Sequence, residues 1–201
     1  IFWDVFYRSQ QAITLSLSEE IWVRNLLNVF IAPVRTIEIV LATCVLGVIR
    51  ATISATVLGL LAWALYAFNV TVLGPALFPY LASILLFGWA VGMCTMALIL
   101  RFGHAAEALI WGTPFLLQPI SAAFYPVAVL PPVLQKVALA LPTTHVFEGM
   151  RDILATGRPA YAPLLPAFAL NAVYLAAGGA FFGWMMKRVR EKGYLARLAM
   201  E

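Results

Sequence analysis

The sequence predicts an all-α polytopic membrane protein, and three observations lead to that prediction. Hydrophobic residues make up 63% of the 201 residues and charged residues only 11%, whereas a soluble domain has about 45–50% and roughly 25%. Residues 51–100 contain no charged side chain, and such a run is too long for one crossing of a ~30 Å hydrocarbon core. Cys44 and Cys94, the two cysteines, both lie in apolar runs. A soluble domain, a disordered chain and a disulfide scaffold are therefore excluded.

Breaks in the uncharged runs divide the chain into candidate spans. Between Asn69 and Pro79 the chain contains Gly74 and Pro75, which interrupt a helix. We predict membrane-embedded helices over 1–18, 35–68, 76–100, 105–123 and 160–187. Arg50 must lie near the membrane boundary or face a polar interior, because a lipid-facing arginine at mid-depth costs at least about 2.5–3.5 kcal/mol.

The N-terminal segment combines a poorly apolar helix with an amphipathic one. Asp4 and Arg8 are four residues apart on one helix face, where an ion pair lowers the cost of burial. Ser18 is a plausible N-cap, and Glu19 and Glu20 suit a first helical turn. We therefore predict a separate short amphipathic helix over 19–32, ended by Pro33.

Residues 124–156 are rich in proline yet too apolar for open water. We predict a partly re-entrant segment with two short helices separated by Pro142, because irregular backbone at membrane depth must be buried in protein or line a cavity. An ordinary external loop is the alternative. Glu148, Arg151 and Asp152 form a compact charged cluster, which we interpret as an ion-pair lattice that holds the re-entrant turn.

The basic residues predict the orientation. If the spans alternate, ten of the thirteen Lys and Arg residues fall on one side, and Lys136, Arg151 and Arg158 fall on the other. The positive-inside rule places the amphipathic helix, the turn at 101–107 and the tail at 188–201 in the cytoplasm. The net charge of +4 is therefore a topology signal, and no nucleic-acid partner is expected.

Motifs of catalysis and cofactor binding are missing from the sequence. None of the three lysines follows a glycine, which excludes a P-loop, and neither zinc-ligand spacing nor a Gly-x-Ser-x-Gly element occurs. We expect no catalytic residue, metal site or cofactor in this chain. Glu107 and His104 are interpreted as part of a solvated turn. The pairs Gly88/Gly92 and Gly179/Gly183 have a spacing that permits close contact between membrane helices.

Two segments in order resemble the ABC-2 type permease family, the membrane subunits of ATP-binding-cassette exporters. The first is the amphipathic helix with Glu-Glu-x-x-x-Arg-Asn-Leu-Leu, followed by Ala-Pro-Val-Arg-Thr-x-Glu at the start of a long span. The second is Gln-Pro-Ile-Ser-Ala-Ala-Phe-Tyr-Pro at 118–126, followed by Leu-Pro-Thr-Thr-His-Val-Phe-Glu-Gly-Met-Arg at 141–151. The order and spacing match from about residue 17 to 187.

The resemblance implies an ABC-2 transmembrane domain with a six-helix topology and both termini in the cytoplasm. The first helix and part of the second would then be missing here. Residues 1–18 would be the end of the second span, 19–32 the cytoplasmic coupling helix, 35–68, 76–100 and 105–123 the third to fifth spans, 124–156 the external re-entrant helices, 160–187 the sixth span and 188–201 a cytoplasmic tail.

The resemblance also implies a homodimer in a bacterial inner (plasma) membrane, in which each copy binds a separate ATPase subunit that holds ATP and Mg²⁺. An amphiphilic substrate, whether polysaccharide, glycolipid or drug, would move outward between the two copies. The coupling residues that contact the ATPase would be Glu19, Glu20, Trp22, Arg24, Asn25, Leu26 and Leu27. The external exit region would contain Phe124, Tyr125, Pro126, Glu148, Arg151 and Asp152.

Two other functional classes stay open from the residues alone. An integral membrane enzyme acting on lipid-linked substrates would need convergent polar groups at one membrane depth, and the cluster at 148–152 lacks a nucleophile–base pair. A channel is disfavoured because no span carries a repeating polar face.

Overall fold

A computed structural model describes residues 1–23, 36–67 and 70–191. The helices in these ranges are α1 (Phe2–Trp22), α2 (Thr36–Tyr66), α3 (Leu77–Phe102), α4 (Ala108–Leu117), α5 (Pro132–Leu139), α6 (Pro142–Thr156) and α7 (Leu164–Glu191). Short 3-10 segments occupy Val70–Ala76, Gly103–Ala106 and Val127–Val129. The described ranges contain no strand, and the prediction of an all-α membrane protein is confirmed.

Three helical stretches in the described ranges are long and apolar enough to cross a membrane: Ile37–Tyr66, Val72–Phe102 and Leu164–Val189. They correspond to α2, to α3 with its 3-10 lead-in, and to α7. The 21 residues of α1 extend about 31 Å at 1.5 Å per residue, which also matches the core thickness. However, α1 carries Asp4, Arg8, Glu19 and Glu20, which make it less apolar.

The long helices pack as a row in which α1 lies between α2 and α3, and α3 lies between α1 and α7. Glycines permit the close approach at each contact. A Cβ added to Gly47 would meet the Ala12 side chain at 2.9 Å, and one added to Gly92 would lie 2.8 Å from the Gln10 carbonyl oxygen. At the α3–α7 contact, Gly178 faces the carbonyl oxygen of Ala90 in the same way, at 2.8 Å.

Among the described residues the apolar core forms two clusters, one toward each end of the long helices. The basic end, where α1, α3 and α7 terminate, has a core that includes Met96, Ile110 and Met185. The hairpin end, where α5 and α6 lie, has a core that includes Phe6, Tyr80 and Phe147. At the basic end the Arg188 guanidinium lies 4.2 Å from the ring centre of Trp184, a cation–π geometry.

The structure corrects the predicted helix start at Ser18. Helix α1 continues through Ser18, Glu19 and Glu20 to Trp22, so these residues form its last turns and do not begin a separate helix. Ser18 is 1% exposed and lies within the helix. A serine acts as an N-cap only where its own backbone is outside the helical conformation. No glycine or proline interrupts the chain from Phe2 to Trp22, so the helix continues through Ser18.

The predicted fifth span at 105–123 is regular over a shorter stretch. Helix α4 has ten residues and a length of about 15 Å. Hydrogen-bonded turns continue it, from the Gln118 amide to the Pro114 carbonyl at 2.9 Å and from the Ser121 amide to the Gln118 carbonyl at 3.4 Å. The turns end at Ala122, whose φ of 55° is left-handed and incompatible with continuation of the helix.

Candidate coupling and exit regions

The predicted coupling residues fall partly within the described ranges. Glu19 and Glu20 lie in the last turn and a half of α1, and Trp22 is its final residue with 44% of its surface exposed. Val23 follows at 69% exposed. Arg24, Asn25, Leu26 and Leu27 lie outside the described residues. The end of α1 therefore presents an aromatic and an aliphatic side chain at the surface of the basic end.

A hydrogen bond joins the end of α1 to the turn before α4. The indole Nε1 of Trp22 donates to Oε1 of Glu107 at 2.5 Å, across 85 residues of sequence. Glu107 was interpreted from the sequence as part of a solvated turn, and its contact with Trp22 was missed. No local pattern could have revealed it, because the two residues meet only through the packing of α1 against α4.

At the hairpin end, Glu148 and Arg151 of α6 fix the preceding turn. Oε1 of Glu148 accepts from the backbone amide of Val127 at 2.8 Å and from Nη1 of Arg151 at 3.1 Å. Nη2 of Arg151 donates to the carbonyl oxygen of Ala122, the residue with left-handed φ. The two side chains thus bind both ends of segment 122–127, and they share one ion pair.

The third residue of the predicted cluster is separate. Asp152 lines a different concave surface, together with Thr156, Arg158 and Tyr161. On an α-helix, neighbouring residues point about 100° apart, whereas residues three apart share a face. Glu148 and Arg151 meet for that reason, while Asp152 is directed elsewhere.

Phe124, Tyr125 and Pro126 form the exposed part of this turn. Phe124 is 73% exposed, whereas the Tyr125 hydroxyl donates to the Pro119 carbonyl at 2.5 Å and closes the turn onto itself. Pro126 is extended, with φ −62° and ψ 150°, and precedes the short 3-10 segment. Phe124 also borders a cavity of about 380 Å³ whose wall includes Trp3, Phe147 and Arg151. The cavity combines aromatic faces with one guanidinium group.

Charged groups also occur on the N-terminal half of α1, which packs against the apolar span α2. Nε of Arg8 donates to Oδ2 of Asp4 at 2.8 Å, which confirms the predicted ion pair. The hydroxyl of Ser54 on α2 donates to the same Asp4 oxygen, a contact that the sequence did not reveal. The Arg8 side chain is 44% exposed, and Tyr7 beside it contacts the rings of Trp111 and Phe115 on α4 at 6.5 and 6.4 Å. An arginine beside an apolar span favours a polar or protein environment over lipid.

No group of three or more His, Cys, Asp or Glu side chains suitable for a metal ion occurs within the part of the chain that the structure describes. Cys44 and Cys94 are free thiols on α2 and α3.

Three apolar spans and polar clusters at both ends define a multi-pass helical membrane protein. The chain belongs to the ABC-2 type transporter family, whose family model matches residues 6–155. Over 135 residues it is 28% identical to the capsule polysaccharide export inner-membrane protein CtrC of Neisseria meningitidis serogroup B (strain ATCC BAA-335 / MC58), an alignment that covers 64% of this chain and 50% of that protein. The chain thus spans about half the length of the curated relative it matches. The resemblance to ABC-2 type permeases is confirmed.

Proposed function

We propose that this chain is part of the transmembrane permease subunit of an ABC-2 type exporter, and that it moves an amphiphilic substrate outward across a bacterial inner membrane. The observation that carries the proposal is the family match over residues 6–155. Among polysaccharide, glycolipid and drug substrates, the proposal favours a polysaccharide or glycolipid, because the CtrC protein is a capsule polysaccharide export protein by name.

A separate ATPase subunit supplies the energy in this proposal, and it holds the ATP and Mg²⁺. It binds the end of α1 and the segment that follows it, with Glu19, Glu20, Trp22, Arg24, Asn25, Leu26 and Leu27 as contact residues. The exposed Trp22 and Val23 at the end of α1 support this assignment, since tryptophan is enriched among the residues that anchor protein interfaces. A push on this segment reaches the membrane through α1 and α2.

The substrate path in this proposal lies between two copies of the permease. The half-exposed Arg8 and the rings of Tyr7, Trp111 and Phe115 give the α1–α4 surface a polar and aromatic character that suits a path better than lipid. At the hairpin end, the cavity beside Phe124 and Arg151 offers aromatic faces and hydrogen-bond donors. Phe124 and Tyr125 there would border the exit.

The orientation in this proposal places the basic end and the C-terminus in the cytoplasm. Arg101, Lys187 and Arg188 lie at the basic end, and Lys136, Arg151 and Arg158 lie at the other. These six residues show no bias by themselves. The bias that the positive-inside rule requires therefore depends on the remaining basic residues of the sequence. A fluorescent protein fused after Glu201 that folds only in the cytoplasm tests this directly. Fluorescence supports the orientation, and its absence with a periplasmic reporter active at the same site contradicts it.

Copurification tests the proposed function. The full-length protein is extracted in a mild detergent from its native host with a C-terminal tag, and the bound proteins are identified by mass spectrometry. We expect an ABC ATPase subunit in a defined ratio. Replacement of Leu26 and Leu27 by aspartate should abolish recovery of the ATPase subunit. Replacement of the exposed Leu116 and Leu165 by glutamine is the control and should leave the recovery unchanged. A correctly folded full-length protein that recovers no ATPase contradicts the proposal.

A further inference from the structure

The joint between α3 and α4 is a break in the helical path at the basic end. Gly103 has φ 63° and ψ −145°, a conformation that residues with a side chain rarely adopt. A four-residue 3-10 segment, Gly103–Ala106, then leads to Glu107 and α4. Helix α4 is therefore not a rigid continuation of α3, and its direction depends on contacts made elsewhere.

The contacts of α4 with α1 and with the core at the basic end determine that direction. Within the short helix α4, Ile110 and Pro114 are the buried residues, whereas Trp111, Phe115 and Leu116 are 50–71% exposed. Helix α1 touches α4 at two levels: the Tyr7 ring near Trp111 and Phe115, and Trp22 bonded to Glu107. The second contact holds the N-terminal end of α4, next to the break at Gly103.

The Trp22–Glu107 hydrogen bond can make the start of α4 follow the end of α1, and it contributes little to the folding stability of the protein. Both side chains are partly exposed, so water can replace the bond when it opens, and its loss leaves no buried polar group unpaired. Its acceptor is a carboxylate, and hydrogen bonds to a carboxylate are stronger than those between neutral groups. Trp22 is also the last helical residue before the segment at 24–35.

We propose that Glu107 is a positioning residue, which acts through Trp22 to make α4 follow the end of α1 when the segment after Trp22 is displaced. The inference rests on the proposed function, because the displacement comes from the ATPase that binds this segment. In mechanical terms, the end of α1 moves the N-terminus of α4 about the break at Gly103. The motion thereby reaches the exposed rings of Trp111 and Phe115.

The test measures the movement of α4 directly and needs no substrate. The full-length permease is purified with its ATPase after Cys44 and Cys94 are replaced by serine, and cysteines are introduced at Leu116 on α4 and Leu165 on α7 for spin labels. Both positions are exposed, at 71% and 79%. Electron–electron double resonance then gives the distance between the two labels without nucleotide and with ATP plus vanadate.

In the parent complex we expect the distance between the labels to change when ATP and vanadate are added. Trp22→Phe keeps the ring and removes the N–H donor, and Glu107→Ala removes the acceptor, so either change should abolish most of the shift. Glu107→Gln keeps an Oε1 acceptor and should retain it, and Trp63→Phe, at an exposed tryptophan outside this contact, is the matched control. The double variant Trp22→Phe/Glu107→Ala should be no worse than either single variant.

A parent complex that shows the ATP-dependent shift, together with an unchanged shift in Trp22→Phe and Glu107→Ala, overturns the inference and leaves the proposed function intact. Failure of the permease to copurify with any ATPase contradicts the proposed function, and the inference fails with it. Copurification in all variants, measured by size-exclusion chromatography, separates loss of the shift from loss of folding or of complex formation.

Discussion

Asn171 of α7 donates from Nδ2 to two oxygens of Ser83 on α3, the backbone carbonyl at 3.0 Å and the hydroxyl at 2.8 Å. Both residues are buried, at 1% and 0% exposed. Side-chain hydrogen bonds between membrane helices contribute about 0.6–2 kcal/mol. This pair therefore links α7 to α3 through buried polar groups.

The first prediction concerns this link. Asn171→Leu should lower the free energy of unfolding by about 1–2 kcal/mol, because the hydroxyl and carbonyl oxygens of Ser83 lose the Asn171 amide as a donor. Ser83→Ala should cost less, since the carbonyl oxygen still accepts from Asn171. Thermal unfolding in detergent, followed by fluorescence-detected size-exclusion chromatography, gives the order of the two variants. Equal losses for both would show that the hydroxyl carries the whole interaction.

The second prediction concerns the α1–α3 contact. A Cβ at Gly88 would overlap the Ser9 hydroxyl and lie 2.9 Å from the Phe6 carbonyl oxygen, whereas one at Gly183 meets nothing within 4 Å. Gly88→Val should therefore destabilise the protein by about 1–3 kcal/mol or more through overpacking, and Gly183→Val should have a much smaller effect.

The same unfolding assay distinguishes side-chain from backbone crowding at Gly88. Ser9→Ala should not restore the stability of Gly88→Val, because the Phe6 carbonyl oxygen remains in place. Full recovery in the double variant would contradict the close backbone approach of the two helices.

The third prediction concerns Gly149 and Tyr80. A Cβ at Gly149 would collide with the Tyr80 hydroxyl and approach two ring carbons at 2.9 and 3.0 Å. That hydroxyl donates to the Ala160 carbonyl at 2.7 Å, so it cannot move without loss of the bond. Gly149→Ala should thus lower stability, and adding Tyr80→Phe should recover only part of the loss. Gly112→Ala, where nothing lies within 4 Å, is the control and should be neutral or slightly stabilising.

The fourth prediction concerns the turn held by Glu148 and Arg151. Glu148→Ala removes the acceptor of the Val127 amide and the partner of Arg151, and it should reduce stability by about 1–3 kcal/mol. Glu148→Gln keeps one oxygen for the amide and should lose less. Limited proteolysis between residues 122 and 127 measures the opening of the turn. Equal cleavage of the parent and of Glu148→Ala would show that the other contacts of the turn suffice to hold it.

The sequence predicted those features that are local or periodic. Long runs without charged residues identify the membrane helices α2, α3 and α7. The four-residue spacing of Asp4 and Arg8 predicts their ion pair. The three-residue spacing of Glu148 and Arg151 placed them together, but adjacency in sequence wrongly suggested that Asp152 joins them. Helical geometry explains both outcomes, because neighbouring residues diverge around the axis.

Contacts between distant helices could not be predicted in this way. Ser54 with Asp4, Asn171 with Ser83 and Trp22 with Glu107 each depend on which helices are neighbours. The glycine pairs illustrate the same limit: Gly88 and Gly92 contact α1, whereas the helix α7 residue that contacts α3 closely is Gly178. The spacing of the glycines shows that small residues share one face of a helix. The tertiary arrangement decides whether another helix packs against that face.

The polar face of α1 has a consequence for how the protein is made. Ser9, Gln10, Thr14 and Ser18 are at most 1% exposed, and α3 covers this face through Gly88 and Gly92. The ribosome reaches α3 about 80 residues after Gln10, which at 5–20 residues per second is a delay of about 4–16 s. During this interval α1 and α2 have emerged but the polar face has no helix against it, so we expect the insertion machinery to retain α1 until α3 arrives and releases it into the bilayer.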